Sequence, residues 1–331
     1  MRVLVITLGA TALQKFDEAS GTMQLGLAPN ELLAQAAVEG CDTQLEQLPV
    51  RSGAELTLAT VARIRDAVLG ALCGDKFGAC VLLIGTDTLE EAAFLLHLML
   101  AVALRQAGSS LVITGAMLPA DQLGSDNAKN LRDALMVASS TVMRQLGGAA
   151  LVVMNDDIHL AQYVCKADSQ LIGAFQSHPG PIGQLRSGEP CCYFAPPPPQ
   201  PWLPAPDAAF QTVLAAALER QRVAIWTVTA SASLIPDGLL AELDGLVLAG
   251  SGSGSVPQAV IDQLSPAWTA RLPIVICSRC GVGRNSDDWL YRGSRQKYES
   301  RGFVLGGGYE HLNPLQARSL LVLRLAALGH A

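Results

Sequence analysis

Four short apolar runs, each followed closely by small or polar residues, limit most strongly what this chain can fold into. VLVIT (3–7) precedes Gly9-Ala10-Thr11, and CVLLI (80–84) precedes Gly85-Thr86-Asp87. SLVIT (110–114) precedes Gly115-Ala116, and ALVVM (150–154) precedes Asn155-Asp156. Between and beside them lie longer helix-like segments, 29–38, 58–73, 88–107 and 126–145. Strands alternating with helices predict βαβ units and a mostly parallel sheet, hence an α/β fold. In open sheets of this class ligands bind beyond the carboxyl ends of the strands, so the four polar turns are expected to face one crevice.

The stretch CCYFAPPPPQPWLPAPDAA, 191–209, holds seven prolines and suits neither a helix nor a central strand. It is expected to be a semi-rigid linker between a larger domain, 1–190, and a smaller one, 210–331. Beyond it the pattern resumes on a smaller scale. Strands are predicted at 222–228, 245–249 and 273–277, and helices near 208–220, 256–264 and 313–328. Asn313-Pro314 puts a proline where the missing N–H of a helix start is harmless.

Bulk properties exclude several functions. A net charge of −6 with no basic cluster argues against a nucleic-acid partner. No apolar run reaches the roughly 18–20 residues of a membrane span. The opening MRVLVITLGAT lacks a long secretory apolar region and reads as the first strand of a cytoplasmic protein. Of eight cysteines, several lie in apolar runs as small hydrophobes, and the single CSRC at 277–280 has no second pair to complete a zinc site. AGSGSGSVP (249–257) follows a strand, but its third glycine comes one residue early for a dinucleotide fingerprint and reads as a tight loop.

The polar residues after the second run are too many for one task. A helix start at 88 needs one cap, and Thr88 with Glu91 would form a capping box, leaving Thr86 and Asp87 over. There is no Gly-x-Ser-x-Gly elbow, and His97, His159, His178 and His311 show no metal-ligand spacing. His97, flanked by leucines, reads as a satisfied core or edge residue. What remains is threonine chemistry: Thr11 in the first turn, Thr86 and Asp87 in the second, and Lys166 downstream of the fourth run. A threonine hydroxyl is a poor nucleophile until a neighbour takes its proton. A lysine can do so, and an aspartate can hold that lysine. The plainer reading is a solvated Lys166 and two further capping residues.

Five segments, GTDTLEEAAFLL, VITGAMLPADQLGSDNAKNLRDA, VVMNDDIHLAQYVCKADS, AFQSHPGPIG and SRCGVG, occur in an order that resembles the bacterial-type L-asparaginase (asparaginase/glutaminase) family. The resemblance spans essentially the whole chain, with the proline linker where that family joins its two domains. It implies a two-domain α/β fold, no cofactor, a homodimer or homotetramer, and hydrolysis of an amino acid's side-chain amide to the acid and ammonia. It also implies that Thr11 accepts the acyl group and that Thr86, Asp87 and Lys166 form a second polar group, Asp87 holding the substrate's α-amino group. Gly85 opens that turn at the substrate. Ala116 would lie near the leaving amide, Ser52 or Gly53 would contact substrate, and Ser255 would take the place of an asparagine that reaches a neighbouring active site.

The chain departs from that pattern around Thr11. The family's TGGTIA reads LGATAL here, the loop after it lacks the family's tyrosine, and Ile84 stands where a histidine is usual. Lys166, Asp17 or Glu18 are candidates to replace the tyrosine. Two other functions fit these departures: the same acyl chemistry on a different amide or ester, and amino-acid binding without turnover.

Overall fold

A computed structural model describes residues 1–9, 11–49, 53–73, 76–146, 148–198, 208–231 and 234–328, with only the backbone taken for 145 and 208–213. The chain divides into two compact units, Met1–Gln200 and Pro201–Ala331. Part of the expected linker, 199–207, lies outside the described residues.

The first unit opens with β1 (Arg2–Leu8), a hairpin of β2 (Gln14–Asp17) and β3 (Thr22–Leu25), α1 (Pro29–Gln35) and β4 (Asp42–Leu48). It continues through α2 (Leu58–Leu72), β5 (Ala79–Leu83), α3 (Leu89–Ala107), β6 (Leu111–Thr114), α4 (Asn127–Ser139), α5 (Thr141–Gln145) and β7 (Ala150–Met154). It closes on β8 (Asp157–Leu160), β9 (Val164–Lys166), β10 (Phe175–Ser177), β11 (Gly183–Arg186) and β12 (Glu189–Cys192). Eight strands form one sheet in the order β12-β11-β8-β7-β6-β5-β1-β4. From β4 to β7 neighbours run parallel, and from β7 to β12 antiparallel.

Burial follows position in the sheet. Every residue of β5, β6 and β7 is buried, because helices cover both faces of a parallel sheet. β4, DTQLEQL, lies at the edge, where charges on a half-exposed strand discourage pairing with other chains. Its polar composition hides it from a search for apolar runs. β12 also lies at an edge, which is why it tolerates Pro190. It carries the ordered chain through Cys192, past the position expected to begin the linker.

One expectation needs correction. The helix predicted over 126–145 is two helices, because Ser140 adopts an extended backbone (φ −66°, ψ 128°) and its Oγ accepts from the Met143 N–H at 3.4 Å to start α5. The polar turn Asn155-Asp156, with φ values of 51° and 69°, is a two-residue hairpin that reverses the chain into β8.

In the second unit α6 (Ala208–Arg220), β13 (Val223–Thr227), α7 (Asp237–Leu240), β14 (Gly245–Gly250), α8 (Gln258–Leu264), β15 (Ile274–Ser278), α9 (Ser294–Glu299) and α10 (Pro314–Leu328) follow in order. β13, β14 and β15 form a parallel three-stranded sheet. The Gly/Ser turn after β14 closes on itself through paired main-chain bonds between Ser251 and Ser255. A side chain at Gly250 would lie 2.5 Å from the Gly254 carbonyl carbon. Asn313 Oδ1 accepts from Gln316 N–H and Gln316 Oε1 from Asn313 N–H, so α10 begins with a reciprocal cap beside Pro314. Among the described residues no helix is long and apolar enough to cross a membrane, and no three His, Cys, Asp or Glu side chains gather to hold a metal ion.

One backbone contact in the first unit is unusually close. A Cβ on Gly85 would stand 2.6 Å from Gly53 Cα and 2.9 Å from Gly53 N. Gly85→Ala is therefore expected to destabilise by about 1–3 kcal/mol. Gly70→Ala, in the exposed interior of α2 with nothing within 4 Å, is expected to stabilise by about 0.5–1 kcal/mol. Urea-unfolding midpoints of the two variants, moving in opposite directions, check both; a neutral Gly85→Ala would refute the close contact.

Candidate active site

The five parallel strands run β4-β1-β5-β6-β7 across the sheet. From β1 the chain places its next parallel strand on one side and the following ones on the other. The switch point of such a 2-1-3-4-5 order is the crevice between β1 and β5, at their carboxyl ends. Thr11 begins a 3-10 turn (Thr11–Leu13) just beyond β1, and Gly85-Thr86-Asp87 lie just beyond β5, whose Leu83 pairs with Thr7. The topology thus brings together two turns that are 75 residues apart in sequence.

Glycines let these turns approach closely. Gly85 rests on Gly53, in a 3-10 turn over Gly53–Glu55, and Thr88 Oγ1 donates to the Gly53 carbonyl at 2.8 Å. Thr88 stands at the N-cap position of α3, but its side chain caps no helix amide. Its hydroxyl clamps the neighbouring loop, which corrects the capping-box expectation. On the other side, a Cβ on Gly115 would meet the Ile84 carbonyl oxygen at 2.6 Å and Thr86 Cγ2 at 3.1 Å.

Lys166 completes the group. Its Nζ donates to Thr86 Oγ1 at 3.0 Å and to Asp87 Oδ1 at 3.3 Å. Thr86 is 5% exposed, the Lys166 side chain 16% and the Asp87 side chain 65%. The Lys166–Asp87 pair is too exposed at the carboxylate to add much stability, and Asp87 stays largely open to solvent. Lys166 is thus largely withdrawn from solvent and bonded to both residues, unlike the solvated lysine of the plainer reading.

Residues of one motif, SDNAKN, hold the surrounding turns. Asp126, 5% exposed, accepts from Met117 N–H at 3.0 Å, from Leu118 N–H at 3.0 Å and from Asn130 Nδ2 at 2.8 Å. Asn130 also donates to the Gly115 carbonyl and accepts from Asn155 N–H, and Asn127 Nδ2 donates to the Ala12 carbonyl at 3.0 Å. The turn after Thr11, the turn holding buried Ala116 and the Asn155 hairpin are thereby tied to one end of α4. Sequence reading assigned these residues no role. Their signal is three polar side chains, at 126, 127 and 130, on a helix start that its apolar neighbours bury.

The remaining candidates fall as follows. Gly53 and Ala116 lie in the turns just described, and Ser52 lies outside the described residues. Ser255 stands exposed in the second unit at the end of the Gly/Ser turn. Residues 14–25 form the hairpin of β2 and β3, docked by Ala120 N–H on the Gln14 carbonyl and by Phe16 N–H on Asp121 Oδ2 at 2.8 Å. Asp17 is committed to the hairpin turn. The Ser20 hydroxyl and the amides of Ala19 and Ser20 hold its carboxyl below the usual range, so it is a weak proton acceptor.

Two histidines, His97 and His159, are buried in the first unit. His159 meets Ser177 Oγ through Nδ1 at 2.8 Å, and His97 bonds Gln162, but burial pushes each down to about 4. Among the described residues each keeps a buried Nε2 with no hydrogen-bond partner, so His97 is a core residue whose satisfaction is incomplete.

Comparison with known proteins bears on the whole chain. The family model described as "Asparaginase, N-terminal" matches residues 2–197, and that described as "Glutaminase/Asparaginase C-terminal domain" matches 222–329. A protein named "Probable L-asparaginase" from Deinococcus radiodurans is 30% identical over 306 residues, covering 91% of this chain and 86% of that protein. "L-asparaginase 2" of Escherichia coli is 32% identical over 254 residues, 76% and 67% of the two chains. The crystal structure of a probable cytoplasmic L-asparaginase from Campylobacter jejuni superposes with a TM-score of 0.78 at 23% identity, covering 100% of this chain and 95% of that one, a likeness of fold.

The histidines generate a pH prediction. A folded value near 4 against 6.5 unfolded means the unfolded chain binds more protons between those limits. The stability is complete above about pH 6.5 and is lost as pH falls toward 4. His159→Asn is expected to flatten the pH dependence of unfolding free energy between pH 7 and 4 by about 2–3 kcal/mol. Urea titrations at both pH values measure it, and parallel curves for variant and wild type would contradict the assignment.

Proposed function

This chain belongs to the asparaginase family, and from that premise we propose that it hydrolyses the side-chain amide of L-asparagine, and of L-glutamine, to the acid and ammonia. The observation that carries the reading is the Thr86–Lys166–Asp87 arrangement at the switch point, with the Thr86 hydroxyl 3.0 Å from the Lys166 amine. Thr11 attacks the amide carbon, its oxygen becoming the ester oxygen of an acyl-enzyme while the amide nitrogen leaves as ammonia. Water then cleaves the ester, returning the Thr11 hydroxyl and releasing the acid. Lys166 and Thr86 relay protons at the reacting centre, and Asp87 meets the α-ammonium of the substrate. Main chain at Gly53, Gly85 and Ala116 borders the substrate, with Ser52 as a further contact.

As the resemblance implies, the protein works as a homodimer or homotetramer, Ser255 serving a neighbouring site, and it acts in the cytoplasm. The domains are taken as 1–190 and 210–331, joined through 191–209. One observation favours a second reading. The hairpin over 14–25 carries Phe16 but no tyrosine, which fits the same threonine chemistry turned to a different amide or ester.

Ammonia release from L-asparagine, L-glutamine and their D-isomers at millimolar concentration is the deciding assay. Turnover of an L-isomer supports the first reading, and silence with all four moves the assignment to another substrate or to binding alone. Lys166→Met is expected to lower kcat by about 10²–10⁴-fold with an unchanged melting temperature. Thr11→Val is expected to abolish the acyl-enzyme seen by mass spectrometry after rapid quenching, and an adduct on Thr86 would reverse the two roles.

A further inference from the structure

Lys166 reaches Thr86 from a different sheet, so something other than strand pairing must fix its approach. Thr86 and Asp87 stand on the turn that leaves the eight-stranded sheet, whereas Lys166 ends β9, which pairs with β10 in a separate two-stranded sheet. A lysine carries four rotatable bonds between its main chain and its amine. Unless its main chain is held, the amine samples many positions at an entropic cost for each one fixed.

The hold comes from α3. The Lys166 N–H donates to Glu90 Oε2 at 3.1 Å, and Glu90 lies in the first turn of α3, three residues beyond Asp87. Two turns further along the same helix, His97 bonds Gln162, four residues before Lys166. The main chain of Lys166 and its amine are therefore both fastened to one short stretch, 86–90, at opposite ends of the lysine side chain. Glu90 is half-buried. Burial, with the neighbouring Glu91 charge, holds its carboxyl above the usual range, and the hydrogen bond from the Lys166 N–H and the charge of Lys166 offset only part of that rise.

We infer that Glu90 is a positioning residue: by accepting the Lys166 N–H it sets where the Lys166 amine stands between Thr86 and Asp87. Its kinetic consequence rests on the amide-hydrolysis reading above, but the geometric consequence does not. An acid in the first helical turn also favours the helix dipole. A role confined to the dipole would alter the melting temperature and leave kcat and the accessibility of the lysine unchanged.

The test compares wild type with Glu90→Met, which fills the volume without an acceptor, and Glu90→Gln, which keeps one. Ammonia release gives kcat and KM, and the rate of amine labelling by trinitrobenzenesulfonate, read at Lys166 by peptide mass spectrometry, gives its accessibility. Glu90→Met is expected to lower kcat by about 10–100-fold with KM changed by less than about threefold, the scale of loss when a reacting group is displaced by about 1 Å. Its Lys166 should label several-fold faster, and Glu90→Gln should restore both quantities to near the wild-type values. Wild-type kcat and labelling in Glu90→Met would overturn the inference, as would a Glu90→Gln enzyme as impaired as Glu90→Met. If Glu90→Met does not fold, Glu90→Ala takes its place under the same criteria. If wild type releases no ammonia, the hydrolase reading falls, and labelling alone decides: faster modification in the variant supports the inference and equal rates reject it.

Discussion

A buried carboxyl group must be repaid in hydrogen bonds, and Asp126 is a place where this chain does so. It sits almost wholly out of water and accepts from two successive main-chain amides, Met117 and Leu118, and from Asn130. Those bonds fix the turn after β6, and Asn130 and Asn127 extend the hold to the hairpin after β7 and the turn after β1. A loop at the end of a parallel strand has no ladder to define it. Here one helix start supplies the missing definition for three of them, and a fourth turn, after β5, is wedged between Gly53 and Gly115.

That rigidity suits a site whose chemistry depends on separate parts. Thr86 is buried and Asp87 exposed although they are adjacent, because a turn leaving a sheet points successive side chains in different directions. Lys166 bridges the two, and Glu90 holds its main chain. The hydroxyl thus lies in a dry setting, while the carboxylate meets solvent. The membership of this chain in a family of amide hydrolases gives that division of labour a reaction.

Much of the fold was legible in the residues. The apolar runs that became β1, β5, β6 and β7 stand out because strands in the middle of a covered parallel sheet have no polar face to show. β4 escaped notice for the converse reason, since an edge strand is half solvated, and the short antiparallel strands β8 to β12 are too brief for their periodicity to register. Ser140 broke a helix that its flanking apolar pattern would continue, because a serine can satisfy a new helix start with its own hydroxyl. Thr88 was read as a cap on spacing alone, yet its hydroxyl found a carbonyl 35 residues earlier in sequence.

The sequence by itself determined the class of fold and the likeness to a family of amide hydrolases, and it offered Thr11, Thr86, Asp87 and Lys166 as candidates for one site. Those are consequences of residue type and local spacing, which a chain carries whether or not it is folded. Only the tertiary structure decided that the set splits around the β1–β5 switch point, that Lys166 comes from a second sheet on the tether of Glu90, and that Asp126 locks the turns. Strand order and the partners of buried polar groups are long-range matters. They are set by which surfaces can be buried together at the lowest cost, and no short window of sequence contains that information.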